Sequence, residues 1–501
     1  MSNSLRPKTL GQLKAAGYVS RGVKEEIRGN LVRRLRAGEE LFPGIVGYED
    51  TVIPQLVNAI LARHDFILLG LRGQAKTRIL RALVDFLDEE IPVIPGNPIN
   101  DDPLHPISAE GRRRVFEEGD DLVVEWLPRE SRYQEKLATP DVTIADLIGD
   151  IDPIKAAALR LPYSDERVIH YGIIPRTNRG IFAINELPDL QPRIQVGLLN
   201  ILEERDFQIR GFPVRIPLDV QMVFSANPED YTNRGNIITP LRDRIQSQIL
   251  THYPRSVEEG MRITAQEAWL ERGDRHVDLP RFLREVIEEV AIQARESEYV
   301  DQNSGVSARM TIALAETVVS NAERRAIRLG VAHTTARVCD LAAAVSAVSG
   351  KVELVLEGEQ EGPLNVARHL IGRGLKSYFA RNFPSAFPKK RRGQPTEEGL
   401  ANSEYKEILE WFAAGHTAEV ADDSGDAEFL EALDQVRGLR RVASRHLKPA
   451  NDAELAVAME LVLEGLHQHS ILTRDRVDGR AVAYRDMFKS MFSSLGGGDE
   501  A

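Results

Sequence analysis

Residues Gly70, Leu71, Arg72, Gly73, Gln74, Ala75, Lys76 and Thr77 put a lysine and a hydroxyl directly behind a glycine-bearing turn. That order suits a polyphosphate. Backbone N–H groups converge on phosphate oxygens only where little side chain intrudes, and the lysine adds charge for the β/γ phosphates. Thr77 offers its hydroxyl to Mg2+. One departure stands out: the residue before the lysine, commonly glycine in such loops, is Ala75. Cleaving the bound nucleotide needs further groups, to orient or deprotonate water and to balance charge at the γ-phosphate. Glu186 follows the apolar run 181–184 and Asn185, and is placed to activate water; the plain alternative is a surface glutamate at a strand end. Asn227 ends the next apolar run and can hydrogen-bond that water or the γ-phosphate, or merely cap a turn before Pro228. Arg242 and Arg244 lie just beyond, where an arginine reaches a phosphate in a neighbouring subunit unless surface ion pairs consume it. Arg309 enters a later helix and either folds back onto the γ-phosphate or stays on the surface.

These residues need elements to hold them. Phe66-Ile67-Leu68-Leu69 reads as a buried strand ahead of the loop, and 78–87 as the helix behind it. Val52, Leu56 and Ile60 recur at four-residue spacing, a helix. Residues 90–140 are Pro- and Asp-rich and read as strands and loops decorating the core. Ile194, Leu198, Leu199 and Leu202 predict a helix, the two short runs around Gly211 a hairpin, and 220–225 a buried strand. Strands alternating with helices predict an α/β fold, a mostly parallel sheet covered on both faces, whose strand tips deliver side chains to a ligand crevice.

Beyond about residue 258 the pattern is helical, with Phe282, Val286, Val290 and Ala294 on one face. The predicted organisation is a helical N-terminal extension (1–41), the α/β core (42–257), a helical lid (258–373), a basic linker (374–402) and a C-terminal helical domain (403–501) with a disordered tail. For the basic segment around 23–40 the simplest reading is a surface or interface helix.

The chain of 501 residues carries a formal net charge of −12, which argues against a surface built to coat nucleic acid. Its single cysteine, Cys339, rules out an internal disulfide framework and any multi-cysteine metal site. No apolar run reaches the roughly 18 to 20 residues of a membrane span and the N-terminus lacks a signal-peptide core, so a cytoplasmic location is expected. His467 and His469, two apart on a helix, point to different sides. Asp101, Asp102, His105 and His170 read as solvated loop residues. Lys389, Lys390, Arg391 and Arg392 read as a solubilising linker, with nucleic acid or an acidic partner as the alternative.

The ordered set of strand, phosphate loop, strand ending Asn-Glu, strand ending in Asn, trailing arginine and helical region with Arg309 resembles a ring-forming AAA+ ATPase. Within that superfamily it most resembles the branch of the magnesium chelatase ATPase subunit and the MoxR-type ATPases. The Ala-Lys-Thr loop ending, the lead-in at 44–50, the passage 145–187 and the hairpin before the Asn strand carry the likeness, over roughly residues 42–345. The resemblance implies a P-loop AAA+ core with a helical lid, ATP and Mg2+ as ligands, and a homo-oligomeric ring, expected to be a hexamer, that remodels a protein partner, often one carrying a von Willebrand A-type domain. It makes Lys76 and Thr77 the phosphate and Mg2+ contacts, Glu186 the catalytic carboxylate, Asn227 the first sensor, Arg244 the finger and Arg309 the second sensor. Ile45 and Val46 would lie near the adenine. Thr77, Asn185 and Glu186 would surround Mg2+, with Asn185 where the family carries an Asp. An amide there adds no negative charge, which slows turnover or weakens Mg2+ binding. Two further readings stand beside this one: a nucleic-acid motor or transcription regulator, against which no Gly-Ala-Phe-Thr-Gly-Ala loop appears, and a slow or non-hydrolysing ATP-gated scaffold. Nothing in the sequence marks a tetrapyrrole site.

Overall fold

The computed structural model describes residues 6–163, 165–209, 215–227, 236–273, 275–385, 403–477 and 481–487. The tip of the predicted hairpin, the basic cluster 389–392 and the predicted disordered tail lie outside them. The chain forms two compact units, residues 1–252 and 253–501.

In the first unit five strands, β1 (Phe66–Leu69), β2 (Tyr133–Leu137), β3 (Gly180–Asn185), β4 (Val220–Ala226) and β5 (Ser247–Leu250), form one sheet in the order β5-β1-β4-β3-β2. Every pairing is parallel. β1, β3 and β4 are apolar nearly throughout because both faces are covered, as parallel strands require. One face packs Ile67, Phe182, Ile184, Met222 and Phe224 against Leu198 and Leu202; the other packs Phe66, Leu68, Ile181 and Val223 against Val52, Leu56, Ile79 and Leu80. The excursion after residue 90 therefore does more than decorate the core, because its last strand, β2, is the sheet's edge. Its mixed polar sequence fits a strand only half-buried.

The N-terminal segment is also built into this unit. Helix Val23–Ala37 buries Val23, Ile27 and Leu31 in the same core as Phe42 and Phe86. Its Glu26 forms a bidentate buried pair with Arg132 at 2.7 Å for both contacts, so the surface-helix reading holds for one face only. The helical repeat 192–203 is two short helices, Pro192–Gly197 and Leu199–Glu203, meeting at buried Leu198. Two antiparallel ribbons stand off the sheet: Gly149–Ile151 with Ile169–Tyr171, and Asp206–Phe207 with Ile216–Pro217, the base of the predicted hairpin.

The second unit is mainly helical. Helices Arg281–Arg295, Arg309–Leu329, Pro363–Asn382 and Asp452–Gln468 share one core running from Leu279 to Tyr484. Two departures from the sequence reading appear. Residues 374–382, predicted as linker, continue helix Pro363–Asn382 and bury Leu375, Tyr378 and Phe379. The C-terminal part also contains a three-stranded antiparallel sheet, Ala418–Ala421, Ala481–Asp486 and Leu472–Val477. Its strands carry charged residues on the open face, which hides them from a search for apolar runs.

Candidate nucleotide site

Parallel pairing brings the C-terminal ends of β1, β3 and β4 side by side, with Leu69 opposite Ala226 and Ile184 opposite Phe224. The predicted site residues follow directly from these ends. The loop after β1 turns through Gly73 and Ala75, both left-handed (φ 73° and 55°), into helix Lys76–Ala82. An alanine in that conformation costs roughly 1–2 kcal/mol, so Ala75 keeps the backbone shape of the usual glycine at some strain. A Cβ at Gly70 would collide with the Thr251 hydroxyl and the Gln74 side-chain oxygen, so a larger residue there must displace both. Thr251 in turn donates to Gln74 Oε1 at 2.6 Å, bracing the loop from the end of β5.

Lys76 is buried. Its ammonium donates to Gly70 O, to Leu71 O at 3.0 Å and to Asn227 Oδ1 at 2.5 Å. Asn227 also donates through Nδ2 to Glu186 Oε2 at 2.8 Å. Lysine, asparagine and glutamate from three different strand ends thus form one hydrogen-bonded chain. Glu186 leaves β3 in the left-handed region (φ 56°, ψ 50°), a conformation uncommon for a residue with a Cβ, which turns it out of the strand line. Beside this chain, Asn185 Oδ1 accepts from Ser225 Oγ at 3.0 Å and from Thr77 Oγ1 at 3.4 Å. Lys76, Thr77, Asn185, Glu186 and Asn227 are therefore gathered in one place. The cradle fits a phosphate: a turn crowded at Gly70, a lysine that donates to Gly70 O, Leu71 O and Asn227 Oδ1, and a threonine hydroxyl beside two polar strand-end residues.

Arg244 ends helix Thr239–Arg244 and is bound within its own chain, its guanidinium contacting Glu203 at 2.5–2.6 Å. Arg242, on the same helix, is exposed. Arg309 is exposed at the start of helix Arg309–Leu329 in the second unit. Ile45 is buried in the core beside Val52 and Ile79, and Val46 is half-buried. Leu71, Arg72 and Gly73 are half-buried along the loop.

Sequence reasoning missed three contributors. The Tyr48 hydroxyl lies 3.0 Å from Gln74 O and 2.8 Å from His252 O, its one proton shared between the two carbonyls, and ties the lead-in segment to the loop. Ser225, inside an apolar strand, bonds Asn185 and accepts from the Glu186 N–H at 3.3 Å. Asp65, fully buried before β1, holds Lys24 at 2.7 Å, Arg205 at 2.8 Å and the Met222 N–H at 2.9 Å. The signal for Ser225 and Asp65 was available: a polar residue inside or abutting an apolar run needs a partner. Asp101 proves to be a cap, accepting from Ile107 N at 2.8 Å and from the Ser108 hydroxyl. His467 and His469 each bond a backbone carbonyl, of Leu472 and Gly465.

The fold and the gathered site define the class: this is an AAA+ nucleotide-binding module. Residues 163–250, which carry β3, β4 and β5, match the family model described as the Sigma-54 interaction domain. The magnesium-chelatase subunit ChlI of Nostoc sp. is 27% identical over 259 residues, covering 51% of this chain and 64% of that protein. The chloroplastic subunit ChlI-2 of Arabidopsis thaliana is 25% identical over 264 residues, covering 51% and 57%. Among solved structures, a chain in a model of the complex between subunits BchI and BchD of magnesium chelatase aligns at 20% identity and a TM-score of 0.33, covering 64% of this chain and 98% of that one. Over about half of its length the chain is thus similar to ATPase subunits of magnesium chelatase. It spans under two thirds of the length of the curated relatives it matches.

Proposed function

We propose that the protein is an ATP-hydrolysing AAA+ ring ATPase of the magnesium chelatase/MoxR type, acting in the cytoplasm to remodel or activate a protein partner. The observation that carries this reading is the chain Lys76–Asn227–Glu186, which couples the phosphate-binding lysine to a carboxylate poised for water. Lys76 and Thr77 would hold Mg2+–ATP, which supplies the phosphoryl group and much of the charge neutralisation. Glu186 orients and deprotonates water. Asn227 fixes the carboxylate by its Nδ2 while its Oδ1 faces the lysine. Arg244 serves a neighbouring subunit after exchanging Glu203 for phosphate, and Arg309 is the proposed second sensor. Ring assembly, a von Willebrand A-domain partner and hexamer size are parts of the proposal that the sequence resemblance motivates.

Phosphate release and nucleotide binding by the full chain test it. K76A is expected to lose nucleotide binding; E186Q is expected to bind ATP and to hydrolyse at least 100-fold more slowly. Full turnover by E186Q removes Glu186 from the mechanism. The scaffold reading gains from Asn185, whose amide brings no charge to the metal position and whose oxygen already accepts from Ser225. Tight ATP binding with no phosphate release at saturating Mg2+ would favour it.

A further inference from the structure

In the second unit, strands His276–Asp278 and His333–Thr335 pair in parallel, with His276 opposite His333 and Asp278 opposite Thr335. Side chains two apart on a strand share a face, and register partners sit side by side. His276, Asp278 and His333 are therefore brought to one face by segments more than fifty residues apart in sequence. His276 Nε2 lies 2.8 Å from Asp278 Oδ1, and His333 Nε2 lies 2.9 Å from Asp278 Oδ2. The two rings stack at 5.5 Å with planes 23° apart. One donor atom from each residue lies within 4.8 Å of the other two.

We propose that His276, Asp278 and His333 form a zinc-class divalent metal site that staples the two strands together. Two imidazoles and one carboxylate are the ligand set that first-row metals of this kind prefer over Mg2+ or Ca2+, which take oxygen donors. At zinc–ligand distances of about 2.0–2.2 Å, tetrahedral donors stand roughly 3.3 Å apart. Small rotations of the two exposed imidazoles bring the donors to that spacing, and both Nε2 atoms already converge on the same carboxylate. Three protein ligands leave the remaining position to solvent or to a partner's side chain. As a pair of exposed ion contacts alone, the cluster would contribute little. As a metal clip it joins a paired ladder only three residues long on each side. The site is separate from the nucleotide loop in residues and in ligand chemistry.

The test uses the full-length chain stripped with EDTA, without nucleotide and with Mg2+ in excess, titrated with Zn2+ against a chromophoric chelator. The wild type is expected to take up one zinc equivalent that H333A and H276A lack and that D278N binds at least 10-fold more weakly. Co2+ substitution is expected to give visible absorption bands in the wild type that vanish in H333A. Zinc is expected to raise the unfolding temperature of the wild type and not of H333A. All three side chains are at least one third exposed, so their replacement leaves the core untouched. Equal zinc uptake by wild type and both histidine variants, or no uptake by wild type, overturns the proposal.

Discussion

Asn185 sharpens what a single amide does beside a phosphate loop. Its Oδ1 accepts from Ser225 and Thr77, both of which an aspartate would also satisfy, so N185D keeps the geometry and adds only charge. That charge would stand next to Glu186, two carboxylates beside the single Lys76 ammonium until a cation arrives. N185D is therefore expected to lower the Mg2+ concentration needed for half-maximal ATPase and to reduce thermal stability in EDTA; identical Mg2+ titrations of the two proteins would show that residue 185 does not face the metal. Gly70 is a second residue-scale case. G70A forces a methyl group into Thr251 and Gln74 and should abolish nucleotide binding while the chain remains folded. The loop, the two strand-end residues of β3 and Asn227 were legible in the sequence because each follows an apolar run, and strand tips in a parallel sheet face the crevice. Their mutual hydrogen bonds were not legible, since they depend on strand order, which periodicity does not encode.

At the scale of elements, buried charge does much of the positioning. Asp65 joins the start of β1 to Lys24 of the N-terminal helix, to Arg205 and to β4. Removing it strands two cations, so D65A is expected to cost on the order of 3–5 kcal/mol in chemical denaturation. In the helical unit, Glu288 sits inside helix Arg281–Arg295, where burial lifts its carboxyl from 4.5 to about 7 against the lowering effect of the Thr264 hydroxyl. The folded chain thus keeps a proton that the unfolded chain releases above the ordinary carboxyl range. Stability tied to this group is complete in acid and falls as pH rises toward and through 7. E288Q should flatten that slope and exceed the wild type by on the order of 2 kcal/mol at pH 8, with little difference near pH 4. Denaturation midpoints across pH 4–8 decide it. The apolar faces of these helices were plain from four-residue spacing. The strands 472–477 and 481–486 were not, because alternating charged positions on a half-covered sheet look like loop.

For the whole molecule, the question is whether catalysis is shared between copies. Arg244 spends its guanidinium on Glu203 within its own chain, so the proposed finger must change partners to reach a neighbour's phosphate. Two proteins separately inactive, R244A and E186Q, are expected to recover part of the ATPase activity when mixed, since each supplies the group the other lacks. E203A, freeing Arg244, should raise the wild-type rate; an unchanged rate would mean that Glu203 does not compete. The net charge of −12 leads to a further expectation: DNA should not stimulate the ATPase, and salt-sensitive stimulation would revive the regulator reading.

The lysine of the phosphate loop has a consequence of its own. An ammonium has three protons to give, and Lys76 directs them to two loop carbonyls and to Asn227. Phosphate oxygens that approach this ammonium compete with bonds already made, and Asn227 is a competitor that mutation can remove while leaving the loop backbone in place. N227A should bind ATP more tightly than the wild type while cleaving it more slowly, trading affinity for rate at a single amide. Weaker binding by N227A would assign that amide to holding nucleotide rather than to rationing it.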